Sequence, residues 1–128
     1  MIPVRFHFPS EDVMAIKERR RAKRISAQLS ITISAGPGEA QGETLNISTN
    51  GVYFRSPYFI EPLTKVELTL MIPHDGKEEP VNCNGIVVRV EPEKETPDVD
   101  SYNIAVFFTS LPKQSEKILA SYIMSKLS

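Results

Sequence analysis

At 128 residues, with 41% hydrophobic and 24% charged side chains, the chain has the size and make-up of one globular domain, large enough for its own core and too small for two. Its one cysteine, Cys83, rules out an internal disulfide and suits a reducing compartment, and with no apolar run near ~18 residues and no signal-peptide pattern a cytoplasmic protein without membrane insertion is expected. The net charge of −1 hides an uneven distribution: residues 17–24 carry six basic and one acidic side chain, the remainder nine basic and fifteen acidic, a positive segment on an acidic body that points to a specific anionic ligand.

Residues 1–9 alternate Ile2, Val4, Phe6 and Phe8, as a short strand or an extended lead. Ser10 can cap a helix over 10–19, with Glu11 and Asp12 in its first turn and basic residues at its far end, the order that the helix dipole favours. From residue 26 the period becomes two: Leu29, Ile31 and Ile33 alternate with polar residues until Gly36-Pro37-Gly38 breaks the strand. A second strand spans about 42–48, with Leu45 and Ile47 facing one way. Ser48-Thr49-Asn50-Gly51 is turn chemistry, since Asn and Gly tolerate positive φ, and Val52-Tyr53-Phe54 begins the next strand.

Val66, Leu68, Leu70 and Ile72 mark another strand, which Pro73 is expected to end before a loop at His74-Asp75-Gly76. Strands follow over 81–90 and 102–109, separated by a Glu-, Pro- and Asp-rich loop at 91–101. Pro112 suits a first helical turn, and Ile118, Leu119, Tyr122, Ile123 and Leu127 form one apolar stripe, so a helix is expected over 112–126, packed on the sheet. Six or so short strands closed by one amphipathic helix predict a mainly β fold, a small antiparallel β-barrel with a C-terminal α-helix and a short N-terminal helical lead.

Catalysis is not expected. His7 and His74 have no partners at metal-ligand spacing, Cys83 lies within a strand as a small hydrophobe, and no phosphate loop or nucleophile elbow is present. The basic segment is more informative. Arg20, Arg21 and Arg24 can make planar paired hydrogen bonds to phosphate or to the O6/N7 edge of guanine, which lysine cannot; the plainer reading is a solvated charge run. In a strand, Asn46 and Ser48 project to the same side. Asn46 can accept from a guanine amino group, Ser48 can bond a phosphate oxygen, and Gly51 permits a tight turn and close backbone approach; the plainer reading is an ordinary turn.

Together, Arg20-x-x-x-Arg24 and, about twenty residues on, Asn46-x-Ser48-x-x-Gly51 resemble the signature of PilZ domains, bacterial receptors for cyclic di-GMP. The resemblance covers roughly residues 18–128, with 1–17 as a lead segment. It extends to Gly51-Val52-Tyr53-Phe54, to the strand Gly85…Val87-Val88-Arg89-Val90 and to the aliphatic-aromatic strand before the helix. It implies a six-stranded antiparallel barrel with a C-terminal helix. It also implies that Arg20 and Arg24, helped by Arg21, grip guanine edges and phosphates, while Asn46, Ser48 and Gly51 contact the ligand from the barrel surface; Arg89 is a further candidate. The family accepts Asp or Asn at position 46, and Asn cannot offer a carboxylate to both guanine N–H groups.

The expected function is therefore a signalling receptor that binds cyclic di-GMP, repositions its N-terminal segment and passes the signal to a protein effector, with no cofactor and no metal. A ligand-independent PilZ-like interaction domain is one alternative. A nucleic-acid-binding barrel is another, which the acidic body and the lack of Trp disfavour.

Overall fold

The computed structural model describes residues 23–127; the expected lead strand and the helix over 10–19 lie outside the described residues. The elements are β1 (Ile25–Ser26), β2 (Ser30–Ala35), β3 (Gly38–Ile47), β4 (Gly51–Ser56), β5 (Lys65–His74), β6 (Lys77–Glu91), β7 (Tyr102–Ser110) and α1 (Lys113–Leu127). Every pairing is antiparallel. The sheet runs β1-β3-β2-β5-β6-β7-β4, and a further β3–β4 pairing closes β2 to β7 into a six-stranded barrel.

Alternation fills the barrel. Ile31 and Ile33 of β2, Val52 and Phe54 of β4, Val66, Leu68, Leu70 and Ile72 of β5, Val81 and Val87 of β6, and Ile104, Val106 and Phe108 of β7 are all buried, each stabilising the fold by about 1.5–3 kcal/mol relative to exposure. Helix α1 lays Ile118, Leu119, Tyr122 and Ile123 on this core and touches β5, β6 and β1. Leu127, expected as the last member of its stripe, is 46% exposed, so the buried stripe ends at Ile123.

Three departures from simple alternation have physical causes. A bulge between Thr44 and Asn46 shifts the phase of β3, so the buried pair is Thr44 and Ile47 rather than Leu45 and Ile47. Pro73 does not end β5. Asp75 and Gly76 both adopt positive φ, as a two-residue hairpin turn of the primed type requires, and the ladder runs unbroken from His74↔Lys77 to Lys65↔Ile86. Counting back from the closing pair, Pro73↔Glu78 and Met71↔Pro80 fall on the pairs that exchange no hydrogen bond. Neither proline is therefore asked for an N–H within this hairpin, and β6 begins at Lys77 rather than near 81.

The third departure is at the start of the barrel. β1 and β2 lie along the same side of β3, interrupted at Ala27–Leu29. The fully buried Thr44 fills the interruption: its hydroxyl donates to the Ala27 carbonyl and accepts from the Leu29 N–H at 2.8 Å, while its own N–H donates to the Leu29 carbonyl at 2.9 Å.

Cys83 is buried in β6, and burial pushes its thiol up to about 12. The thiolate is the reactive form, so a thiol-specific reagent at pH 8 is expected to leave the native chain unlabelled and to label one group per chain in denaturant. Rapid labelling of the native protein would contradict this burial.

Candidate functional site

The turn between β3 and β4 is built on one hydroxyl. Ser48 lies just past β3 and is fully buried. Its Oγ accepts from the N–H groups of Asn50 at 3.1 Å and Gly51 at 3.2 Å, and its own N–H donates to the Gly51 carbonyl at 2.9 Å. β7 holds the other side: the Phe108 N–H donates to the Asn50 carbonyl at 2.8 Å. Neither Asn50 nor Gly51 adopts a positive φ. Glycine is needed at 51 for space instead, since a Cβ there would stand 2.5 Å from the Val106 carbonyl oxygen.

Strand β1 joins the two sequence motifs. Its register, Ile25↔Ile47 and Ser26↔Asn46, lays the chain that follows the arginines beside the Asn-x-Ser turn. The exposed Arg24 reaches over that turn, with Nη1 3.5 Å from the Gly51 carbonyl. Arg20 and Arg21 lie outside the described residues. Arg24, Asn46, Ser48 and Gly51 are thus brought together, and Ser48, buried with its hydroxyl on the turn amides, sets the shape of the turn.

Asn46 occupies the β3 position between Ser26 and Tyr53. Its Oδ1 is buried and has no hydrogen-bond partner, the one such buried side-chain oxygen or nitrogen among the described residues. An unsatisfied buried acceptor costs about 1–3 kcal/mol, so its presence calls for a reason.

The outer face continues across the barrel in register as Asn46, Tyr53, Ala105 and Arg89. The Tyr53 hydroxyl donates to Glu91 Oε1 at 2.8 Å, and Arg89 lies over the Tyr53 ring at 5.7 Å with its Nε 3.9 Å from Glu91 Oε2. Burial, and then the Glu91 bond and charge, raise the Tyr53 hydroxyl above its usual pKa of 10.0, so it stays a donor throughout the physiological range. Sequence reasoning assigned Glu91 to an exposed loop and missed it. The signal was there, in the alternation of Arg89 and Glu91 about the inward Val90.

Among the described residues, no group of three or more His, Cys, Asp and Glu side chains is placed to hold a metal ion. No helix among them is long and apolar enough to cross a membrane.

Residues 18–125 match the family model of the PilZ domain. No curated protein matches the chain. Among solved structures, the inhibitor of motility MotI/DgrA of Bacillus subtilis aligns at 17% identity with a TM-score of 0.68, over 85% of this chain and 51% of its own, so the chain spans about half of that protein. The PilZ domain of YcgR from Escherichia coli, solved with cyclic di-GMP, aligns at 14% identity and 0.63, over 84% and 90% of the two chains. The PlzA protein of Borreliella burgdorferi, in complex with cyclic di-GMP, aligns at 14% and 0.52, over 92% and 57%. At these identities the likeness establishes the fold.

Proposed function

The chain belongs to the PilZ domain family, and from that premise we propose that it is a receptor for cyclic di-GMP. The observation that carries the reading is the orphaned Asn46 Oδ1, on the strand that leads into the turn Arg24 reaches. A buried acceptor without a donor suits a ligand that brings N–H groups, and a guanidinium suits one that brings phosphate or a guanine O6/N7 edge. Cyclic di-GMP brings all of these. Two structural neighbours were solved with that ligand, which supports the reading independently of the residues.

In this reading Arg20, Arg21 and Arg24 hold phosphates and guanine edges, Asn46 accepts from guanine, and Ser48 and Gly51 give the turn the shape the ligand lies against. Binding draws the positive segment onto the barrel and repositions residues 1–17 against a protein effector, an ordering switch of the kind that charge-driven ligands produce. The protein works in the cytoplasm, and its output is the contact with that effector rather than a reaction.

Asn46→Leu tests the reading through opposite effects on stability and binding. Replacing an unsatisfied acceptor with an apolar group of similar size removes a cost, so the free variant is expected to be at least as stable in urea as the wild type. Its affinity for cyclic di-GMP, measured by calorimetry, is expected to fall about tenfold or more. Undiminished affinity would remove Asn46 from the site. A wild type that binds no cyclic di-GMP at tens of micromolar would end the receptor reading.

A further inference from the structure

A cyclic dinucleotide carries two bases, and Asn46 provides for one of them. Resting on the receptor reading above, we propose that Tyr53, Arg89 and Glu91 form a second base-recognition subsite on the outer face of the barrel, in which Arg89 reads a guanine.

The register sets the geometry. Asn46, Tyr53, Ala105 and Arg89 form one row across β3, β4, β7 and β6, a span of about 14 Å at the usual strand spacing, wide enough for two bases on one face. Ala105 stands between Tyr53 and Arg89, and its small side chain lets the guanidinium cross β7 to lie over the Tyr53 ring at 5.7 Å. Ala105 is 8% exposed although it faces outward between the inward Ile104 and Val106, in keeping with a neighbour lying across it.

The chemistry matches a purine. Arg89 is accessible, with its side chain 61% exposed, and its Nε stands 3.9 Å from Glu91, an ion pair beyond hydrogen-bond distance. The guanidinium fork is thus oriented without being consumed by its partner, and a planar pair of donors is what the O6/N7 edge of guanine accepts. Tyr53 supplies a flat apolar surface below, fixed by its hydroxyl bond to Glu91 at 2.8 Å. Glu91 is a positioning residue: it holds the tyrosine and aims the arginine. Adenine lacks O6, so the arrangement favours guanine.

The test is calorimetric titration of the full chain with cyclic di-GMP and with cyclic di-AMP. Arg89→Ala is expected to weaken cyclic di-GMP binding roughly tenfold or more and to shrink the preference over cyclic di-AMP. Arg89→Lys, which keeps the charge but not the fork, is expected to remain weak. Arg89→Ala binding like the wild type overturns the subsite and leaves the receptor reading standing. Arg89→Lys restoring both affinity and preference overturns base reading by the guanidinium. Failure of the wild type to bind overturns the receptor reading itself, and the subsite with it.

Discussion

An Arg20→Ala/Arg24→Ala variant is expected to lose cyclic di-GMP affinity by about two orders of magnitude or more while unfolding at the same urea concentration as the wild type. A hydrogen bond to a charged group contributes about 1.5–3 kcal/mol, so two arginines account for roughly 3–6 kcal/mol, or a factor of about 10²–10⁴. Arg24 is exposed, and a substitution at such a surface position usually changes stability by no more than about 0.5 kcal/mol. Because the contacts are ionic, wild-type affinity is also expected to fall with added salt, and the double variant to show a flatter dependence. Calorimetry at two salt concentrations checks both statements. Binding that survives the double substitution would show that the positive segment is a solvated charge run after all.

Thr44→Val is expected to have the largest effect on stability, a loss of about 2–4 kcal/mol. Valine has the shape of threonine, so no cavity opens. The substitution instead strips the Ala27 carbonyl and the Leu29 N–H of their hydroxyl partner, and each group left unsatisfied in the interior costs about 1–3 kcal/mol. Thr44→Ser keeps the hydroxyl and loses one methyl, so a smaller loss of about 1 kcal/mol is expected. Urea unfolding with an unchanged slope separates the two. A valine variant as stable as the wild type would mean that Ala27 and Leu29 find other partners.

The strands were legible because one face of each is buried and period two survives in Ile31-x-Ile33, Val66 to Ile72 and Ile104 to Phe108. The phase slip at Leu45 was not, since a bulge is a backbone event that hydrophobicity registers only as a missing beat. Pro73 misled for a related reason: a proline breaks a strand only where its N–H is wanted, and that depends on which pair closes the hairpin. In the site, the arginine and Asn-x-Ser motifs could be read along the chain. What joins them is a two-residue strand, β1, too short to leave a periodic trace. The Tyr53, Arg89 and Glu91 cluster depends on cross-strand register, with residues 38 apart in sequence sharing one hydrogen bond.

Closure of the barrel through the β3–β4 pairing bears on how the folded chain behaves in concentrated solution. A flat sheet offers two rows of unpaired amides on which another chain can add a strand, the usual route from native protein to aggregate. Here β4 finds its second neighbour in β3, so among the described residues the unpaired backbone is confined to β1, two residues long, and to strand ends that outrun their neighbours, such as Lys77–Cys83 of β6 before its pairing with β7 begins. An incoming strand finds short stretches rather than a full-length edge, so barrel closure limits self-association through the backbone by topology as well as by surface charge.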